Sequence, residues 1–202
     1  MLPRLERTFF RRDPVTLARA LLGQRLVRIA PDGSRRSGLI VETEAYLGVL
    51  DRAAHTFGGR RTARNASMWL DGGHAYVYFT YGLHYCFNVV CEVAGEPTAV
   101  LLRALQPEEG IDAMRVSRGP AARQTRDLCS GPARLCQALA IDRSFDGTDL
   151  CTSETLFLEA TRKRAKAPAV IGVGPRVGIG YAEQWAQEPL RFWVKGSEHV
   201  SR

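Results

Sequence analysis

The sequence predicts a mixed α+β fold from two β-rich stretches and two well-signalled helices. Gln24 to Ile29, the turn Pro31-Asp32-Gly33-Ser34 and the returning run Arg35 to Tyr46 read as a β-hairpin. From His74 onward the text is again β, HAYVYFTYGLHYCFNVVCEV, then TAVLLRAL after the turn-like Ala94-Gly95-Glu96-Pro97. With 202 residues and 45% hydrophobic content, one sizeable core and a single domain over 1–202 are expected.

Taken in order, Asp13 is a good N-cap and Pro14 a good first helical residue. Val15, Leu17, Ala18, Leu21 and Leu22 form an apolar stripe that Gly23 ends. Residues 49–73 have no clean period and hold Arg52, Arg60, Arg61 and Arg64 among glycines and small polar residues, which suits either a phosphate-contacting loop or a solvated one. Thr98 to Leu105 is an apolar strand and Pro107 to Val116 a short helix; Ser117 to Arg126 is a basic linker. Ser130-Gly131-Pro132 starts a helix carrying Leu135, Cys136, Leu139 and Ile141, with Arg134 near its first turn; its free amides suit a phosphate, as those of any helix start do. Asp146-Gly147 turns, Leu156 to Glu159 is a short strand, Arg162 to Lys166 is a basic run, and Pro189 to Val194 is a closing strand. Ala169 to Gly180 is too rich in glycine for an ordinary strand, so its backbone is expected to lie close to something, substrate included.

Charge and cysteine usage narrow the function classes. Of 28 basic residues only Lys163, Lys166 and Lys195 are lysine, and the net charge is +7. Arginine grips phosphate with a planar fork and stacks on bases, so the bias favours a nucleic-acid partner; an arginine-rich coding bias would read the same. Five cysteines without a C-x-x-C pair and four scattered histidines indicate neither a disulfide framework nor a zinc site, and imply a reducing compartment. No apolar run approaches the roughly 20 residues of a membrane helix. The N-terminal MLPRLERTFFRRD holds the acids Glu6 and Asp13 and is too broken by charge for a signal peptide, so a soluble protein is expected.

The chemistry is expected in GLIVETEAYLG, residues 38–48. Leu39, Ile40 and Val41 open an apolar strand, and Glu42, Glu44 and Tyr46 then alternate, so a straight strand puts all three on one face. A strand that leaves a core with acid, acid, tyrosine can hold a general base rigidly in a cleft. An amphipathic edge strand with solvated glutamates has the same pattern. Arg103, the single charge in its strand, calls for an acidic partner or an anion, and Glu44 is the nominee. Tyr76, Tyr78, Tyr81 and Tyr85 are more hydroxyls than a core accommodates; beside arginines they suit base stacking and duplex wedging, or are ordinary sheet tyrosines.

Eight collinear blocks resemble the alkyladenine (3-methyladenine) DNA glycosylase family of the mammalian type. They are VETEAYLG (41–48), AAH (53–55), GGRRTARN (58–65), YVYFTYG (76–82), Asn88, VLLRAL (100–105), LCSGPARLCQALAI (128–141) and RVGIGYAEQWAQEPLRFWVKGS (176–197). The resemblance implies a curved antiparallel sheet with surrounding helices, no cofactor and no metal. It implies excision of 3-methyladenine and 7-methylguanine, with hypoxanthine and ethenoadenine as further candidates. It makes Glu44 the base for the attacking water, held with the help of Arg103 and the Val177 carbonyl. Tyr46, His55 and Tyr78 become the residues that stack on the flipped base, Asn88 the one that crowds the guanine 2-amino group, and Tyr81 the wedge. Arg60, Arg61, Thr62, Arg64 and Met68 become contacts to the DNA backbone. The implied partner is double-stranded DNA containing damaged bases, met by a monomer in a bacterial cytoplasm or a nucleus, away from membranes. Leu83, His84 and Phe87 leave the breadth of substrate open.

Overall fold

The computed structural model describes residues 2–80, 82, 84–161 and 170–201 of the chain. A four-residue helix, α1 (Arg7–Phe10), precedes α2 (Pro14–Leu21). The second begins as its sequence dictates: Asp13 accepts a hydrogen bond from the Thr16 amide at 2.9 Å and Pro14 occupies the first position. The hairpin follows, β1 (Arg25–Ile29) against β2 (Arg35–Tyr46), its turn held by Asp32 accepting from the Ser34 amide at 2.9 Å.

Among the described residues the remaining strands and α-helices are β3 (Ala75–Thr80), β4 (His84–Val90), β5 (Ala99–Glu109), α3 (Ile111–Arg118), α4 (Pro132–Leu139), β6 (Leu156–Glu159), β7 (Ile171–Gly174) and β8 (Arg191–Val194). All strand pairings are antiparallel, in the order β3-β4-β5-β2-β1-β6, and the sheet curls into a half-barrel with helices packed on it, an α+β fold. The long β2 is its spine. One edge of β2 pairs with β5 throughout, while the other pairs first with β1 and then, from Glu42, with β8.

At that change of partner the β2–β5 register breaks. Ile40 pairs with Leu105, Glu42 with Ala104 and Thr43 with Leu102, so Val41 and Arg103 drop out of the pairing. Such bulges bend a strand and re-aim its side chains. Ile40 belongs to the apolar core before the break; after it Ala45 does, and Thr43 donates its hydroxyl to the Ala18 carbonyl of α2 at 3.0 Å. Core-facing residues thus change from even to odd numbers, and Glu42, Glu44 and Tyr46 are turned to the other face. The core itself joins Leu17 and Leu21 of α2 to Val77, Phe87, Leu102 and Phe192 of the sheet and to Leu135 and Leu139 of α4.

Two expectations need correction. The stretch from Pro107 is not a helix start: β5 runs on to Glu109 and α3 begins only at Ile111, after Gly110 at φ +73°. Pro107 is tolerated because a second register shift, between Ser37 and Gly38, interrupts the ladder opposite it. In the glycine-rich segment, Ile171–Gly174 is a strand, and there the backbone lies against Trp193: a Cβ on Gly172 would lie 2.2 Å from that ring. The basic run Arg162 to Lys166 lies outside the described residues. Among the described residues no helix is long and apolar enough to cross a membrane, and the five cysteines are free.

Candidate active site

A cavity of about 300 Å³ opens on the face of the sheet turned away from α2, walled by alternate residues of four strands. Tyr76, Tyr78 and Thr80 come from β3, Cys86 and Asn88 from β4, Leu101 and Arg103 from β5, and Tyr46 from the end of β2. His55 and Met68 close it from the 49–73 loop, and Val177 to Ile179 from the segment after β7.

Glu44 stands beside this cavity with no exposed surface. One carboxylate oxygen accepts from the Val177 amide at 2.8 Å and lies 3.1 Å from Arg103 Nη1. The other accepts from the Tyr46 hydroxyl at 2.9 Å. Burial pushes the Glu44 carboxyl above its ordinary value, while Arg103, the Val177 amide and Tyr46 pull it back and Glu42 adds to the rise. Arg103 also meets Glu42, its Nε 3.0 Å from Oε1. Desolvation acts to lower the Arg103 value, but Glu44 and Glu42 hold it above normal, so it stays charged. A buried carboxylate kept basic in this way, next to a fixed cation, is equipped to take a proton.

The aromatic walls are tied together by polar tips. His55 Nδ1 and the Tyr76 hydroxyl share a hydrogen bond of 2.7 Å, and the His55 ring meets Tyr78 edge-on with centroids 4.6 Å apart. Burial, then Arg64 and Arg60, hold His55 below its usual value, so its ring is neutral at neutral pH. Burial raises Tyr46 and Tyr78 well above the normal phenol range. Asn88 is buried and donates to the Tyr76 carbonyl at 3.0 Å, which fixes its amide in the cavity wall.

The structure therefore brings Glu44, Tyr46, His55, Tyr78, Asn88, Arg103 and Val177 to one place. Glu44 is indeed Arg103's partner, but Glu42 shares it. Val177 reaches Glu44 through its amide. Of the loop residues, Arg60 is exposed, Arg61 lies over the Trp69 ring at 5.2 Å, and Arg64 donates to the Phe79 carbonyl at 2.9 Å beside Tyr78. Thr62 bonds Asn65 through both its amide and its hydroxyl. Met68, expected beside the DNA backbone, is 2% exposed and packed with Tyr76, Val90 and Ala99, so its side chain belongs to the cavity wall. Tyr81 and Leu83 lie outside the described residues.

The sequence reading missed the pair that fastens the loop to the site. Arg176 and Asp51 are fully buried and doubly bonded, at 2.5 and 2.9 Å, and Arg176 also donates to the Ala45 carbonyl at 3.0 Å. The guanidinium lies 4.7 Å from the Tyr46 ring centroid, and Asp51 accepts from the Leu47 and Ala53 amides. The rule that singled out Arg103, one charge in an apolar strand, finds Arg176 as well when applied to IGVGPRVGIG. A second cavity, of about 330 Å³, adjoins His55 and is edged by Arg52, Arg60 and Arg64. Among the described residues no group of three or more His, Cys, Asp or Glu could hold a metal ion.

Comparison with known proteins finds relatives of this chain. The model of the methylpurine-DNA glycosylase family matches residues 8–198. A DNA-3-methyladenine glycosylase of Mus musculus is 50% identical, over 98% of this chain and 61% of the mouse protein. Its Homo sapiens counterpart is 49% identical over 99% of the chain and 68% of the human protein. A putative 3-methyladenine DNA glycosylase of Bacillus cereus (strain G9842) is 44% identical over 96% of the chain and 97% of the bacterial protein. The chain thus spans about three fifths of the mouse relative's length and nearly all of the bacterial one's.

Proposed function

The chain belongs to the methylpurine-DNA glycosylase family, and from that premise we propose that it is a monofunctional DNA glycosylase that excises alkylated purines such as 3-methyladenine and 7-methylguanine. It works as a monomer on duplex DNA. The observation that carries this reading is Glu44: a carboxylate without exposed surface, held by Arg103, Val177 and Tyr46 beside an aromatic cavity.

A base stacked in a duplex is out of reach, so the nucleotide must be turned out and taken into the cavity. Alkylation at N3 or N7 makes the purine cationic, which favours stacking on the electron-rich rings of Tyr46 and Tyr78 and weakens the glycosidic bond. As the C1′–N bond breaks, its electron pair leaves with the purine and positive charge grows on the sugar. Water adds its oxygen to C1′ and gives a proton to Glu44, whose negative charge also stabilises the oxocarbenium-like transition state. The products are a free base and an abasic site. Strand cleavage through a Schiff base would need an amine, and no lysine lines the described cavity.

Single-turnover excision from a panel of single-lesion duplexes tests this reading, with Glu44→Gln as the decisive variant. The substitution keeps shape and hydrogen bonding but removes the proton acceptor, so lesion DNA is expected to bind about as tightly while the excision rate falls by about 10²–10⁴. A wild-type chain that binds every lesion duplex and releases no base would make it a damage-recognition module instead. Near-normal excision by Glu44→Gln would remove Glu44 as the base.

A further inference from the structure

Glu42 does not line the cavity, yet it is among the most heavily bonded side chains in the molecule. It has no exposed surface. Its Oε1 accepts from Arg103 Nε at 3.0 Å, Arg191 Nη1 at 3.2 Å and the Ser201 hydroxyl at 2.9 Å, and its Oε2 accepts from the Ser201 amide at 2.7 Å. The same hydroxyl accepts from Arg103 Nη2 at 3.1 Å. Each nitrogen of the Arg103 guanidinium is therefore engaged: Nε by Glu42, Nη2 by Ser201, and Nη1 beside Glu44 at 3.1 Å.

This geometry matters because Arg103 has no strand partner of its own: it is the β5 residue skipped at the break in the β2–β5 pairing. A bulged position leaves its side chain more directions than a paired one, and a guanidinium between two carboxylates can tilt toward either. Glu42 and Ser201 remove that freedom. A hydroxyl suits the position because it can donate to a carboxylate and accept from a guanidinium at once, which a methyl group cannot.

We propose that Ser201 and Glu42 are positioning residues for the reaction, holding the plane of Arg103 so that Nη1 stays on Glu44, which makes the C-terminal segment around Ser201 a working part of the active site. The inference rests on the reading of Glu44 as the base. Groups facing Glu44 are Arg103 from β5, the Val177 amide, Tyr46 and Glu42 from its own strand, and, farther off, Tyr78 of β3 and Cys86 of β4. Arg191 of β8 pairs across from Glu44 along the backbone but gives its charge to Glu42. Arg103 is thus the cation that favours the ionised form of Glu44, and loosening it makes that form harder to reach.

The test is single-turnover excision against pH on a duplex carrying one 7-methylguanine, with wild type, Ser201→Ala, Ser201→Thr, a chain ending at Val200 and Glu44→Gln. Urea midpoints are measured alongside. Loss of the hydroxyl's two charge-assisted hydrogen bonds, to Glu42 and from Arg103, predicts that Ser201→Ala slows excision by about 10-fold at acidic pH and moves the acid limb of the profile upward. Ser201→Thr, which keeps the hydroxyl, restores both. The chain ending at Val200 loses the amide as well as the hydroxyl and is expected to be slower still. Wild-type rates and an unmoved limb in both Ser201→Ala and the shortened chain would overturn the proposal. So would a loss equal at every pH that threonine does not rescue, which is the mark of a merely structural role. Excision retained by Glu44→Gln would instead sink the base assignment, whatever Ser201 does.

Discussion

Tyr46 donates its hydroxyl to Glu44 at 2.9 Å from two residues along the same strand, so the ring that lines the cavity and the carboxylate beside it are a single unit. The bond favours the ionised form of Glu44, against the burial that disfavours it. Tyr46→Phe keeps the ring and removes the bond. The Glu44 carboxyl then rises further and the carboxylate forms only at higher pH. The acid limb of single-turnover excision should move up, with lesion binding little changed. A limb that stays in place would mean that Tyr46 contributes stacking alone.

Asp51 and Arg176 are expected to matter first for stability. Breaking a fully buried pair by removing one charge typically costs about 3–5 kcal/mol, because the other is left uncompensated. Asp51→Asn should lower the urea midpoint accordingly and loosen the segment that delivers the Val177 amide to Glu44. An unchanged midpoint would show that Arg176 finds another acceptor.

Arg60, Arg61 and Arg64 should reveal phosphate contacts through salt. Replacing any one that touches the backbone is expected to weaken damaged and undamaged duplex alike and reduce the slope of log K against log salt by roughly 1. Arg64 should also disturb Tyr78, because it lies beside that ring and holds the Phe79 carbonyl. Three unaltered slopes would take the loop out of the interface.

Asn88→Ser tests selectivity. The Asn88 amide is pinned by the Tyr76 carbonyl and so presents a fixed wall to a purine. Shortening it should raise excision of undamaged guanine relative to alkylated adenine, because room appears for a 2-amino group. Unchanged discrimination would leave Asn88 a purely structural role between β3 and β4.

Much of this was legible in local sequence. Asp13-Pro14 and Gly23 bound a helix because capping and the fixed φ of proline act within one turn. The β2 hairpin was legible because its turn chemistry and alternation are equally short-ranged. Pro107 misled for the same reason: its helix-start signal is local, whereas the register shift that admits it to β5 depends on Gly38, far away in sequence.

The sequence by itself determined that two glutamates and a tyrosine share one strand face, and that Arg103 needs an acidic partner. It did not determine which face. A period of two puts Ile40, Glu42 and Glu44 together, so an unbroken β2 would drive both carboxylates into the core with Ile40. Only the break at Val41 and Arg103, where β2 exchanges β1 for β8, turns the glutamates to the sheet face that carries the cavity. The partners that hold them likewise come from distant chain: Val177 and Arg176 beyond β7, Asp51 in the loop, Ser201 near the C-terminus. Strand periodicity is set by neighbouring residues, but the solvation, charge and aim of Glu44 are set by groups that meet it only once the sheet has curled.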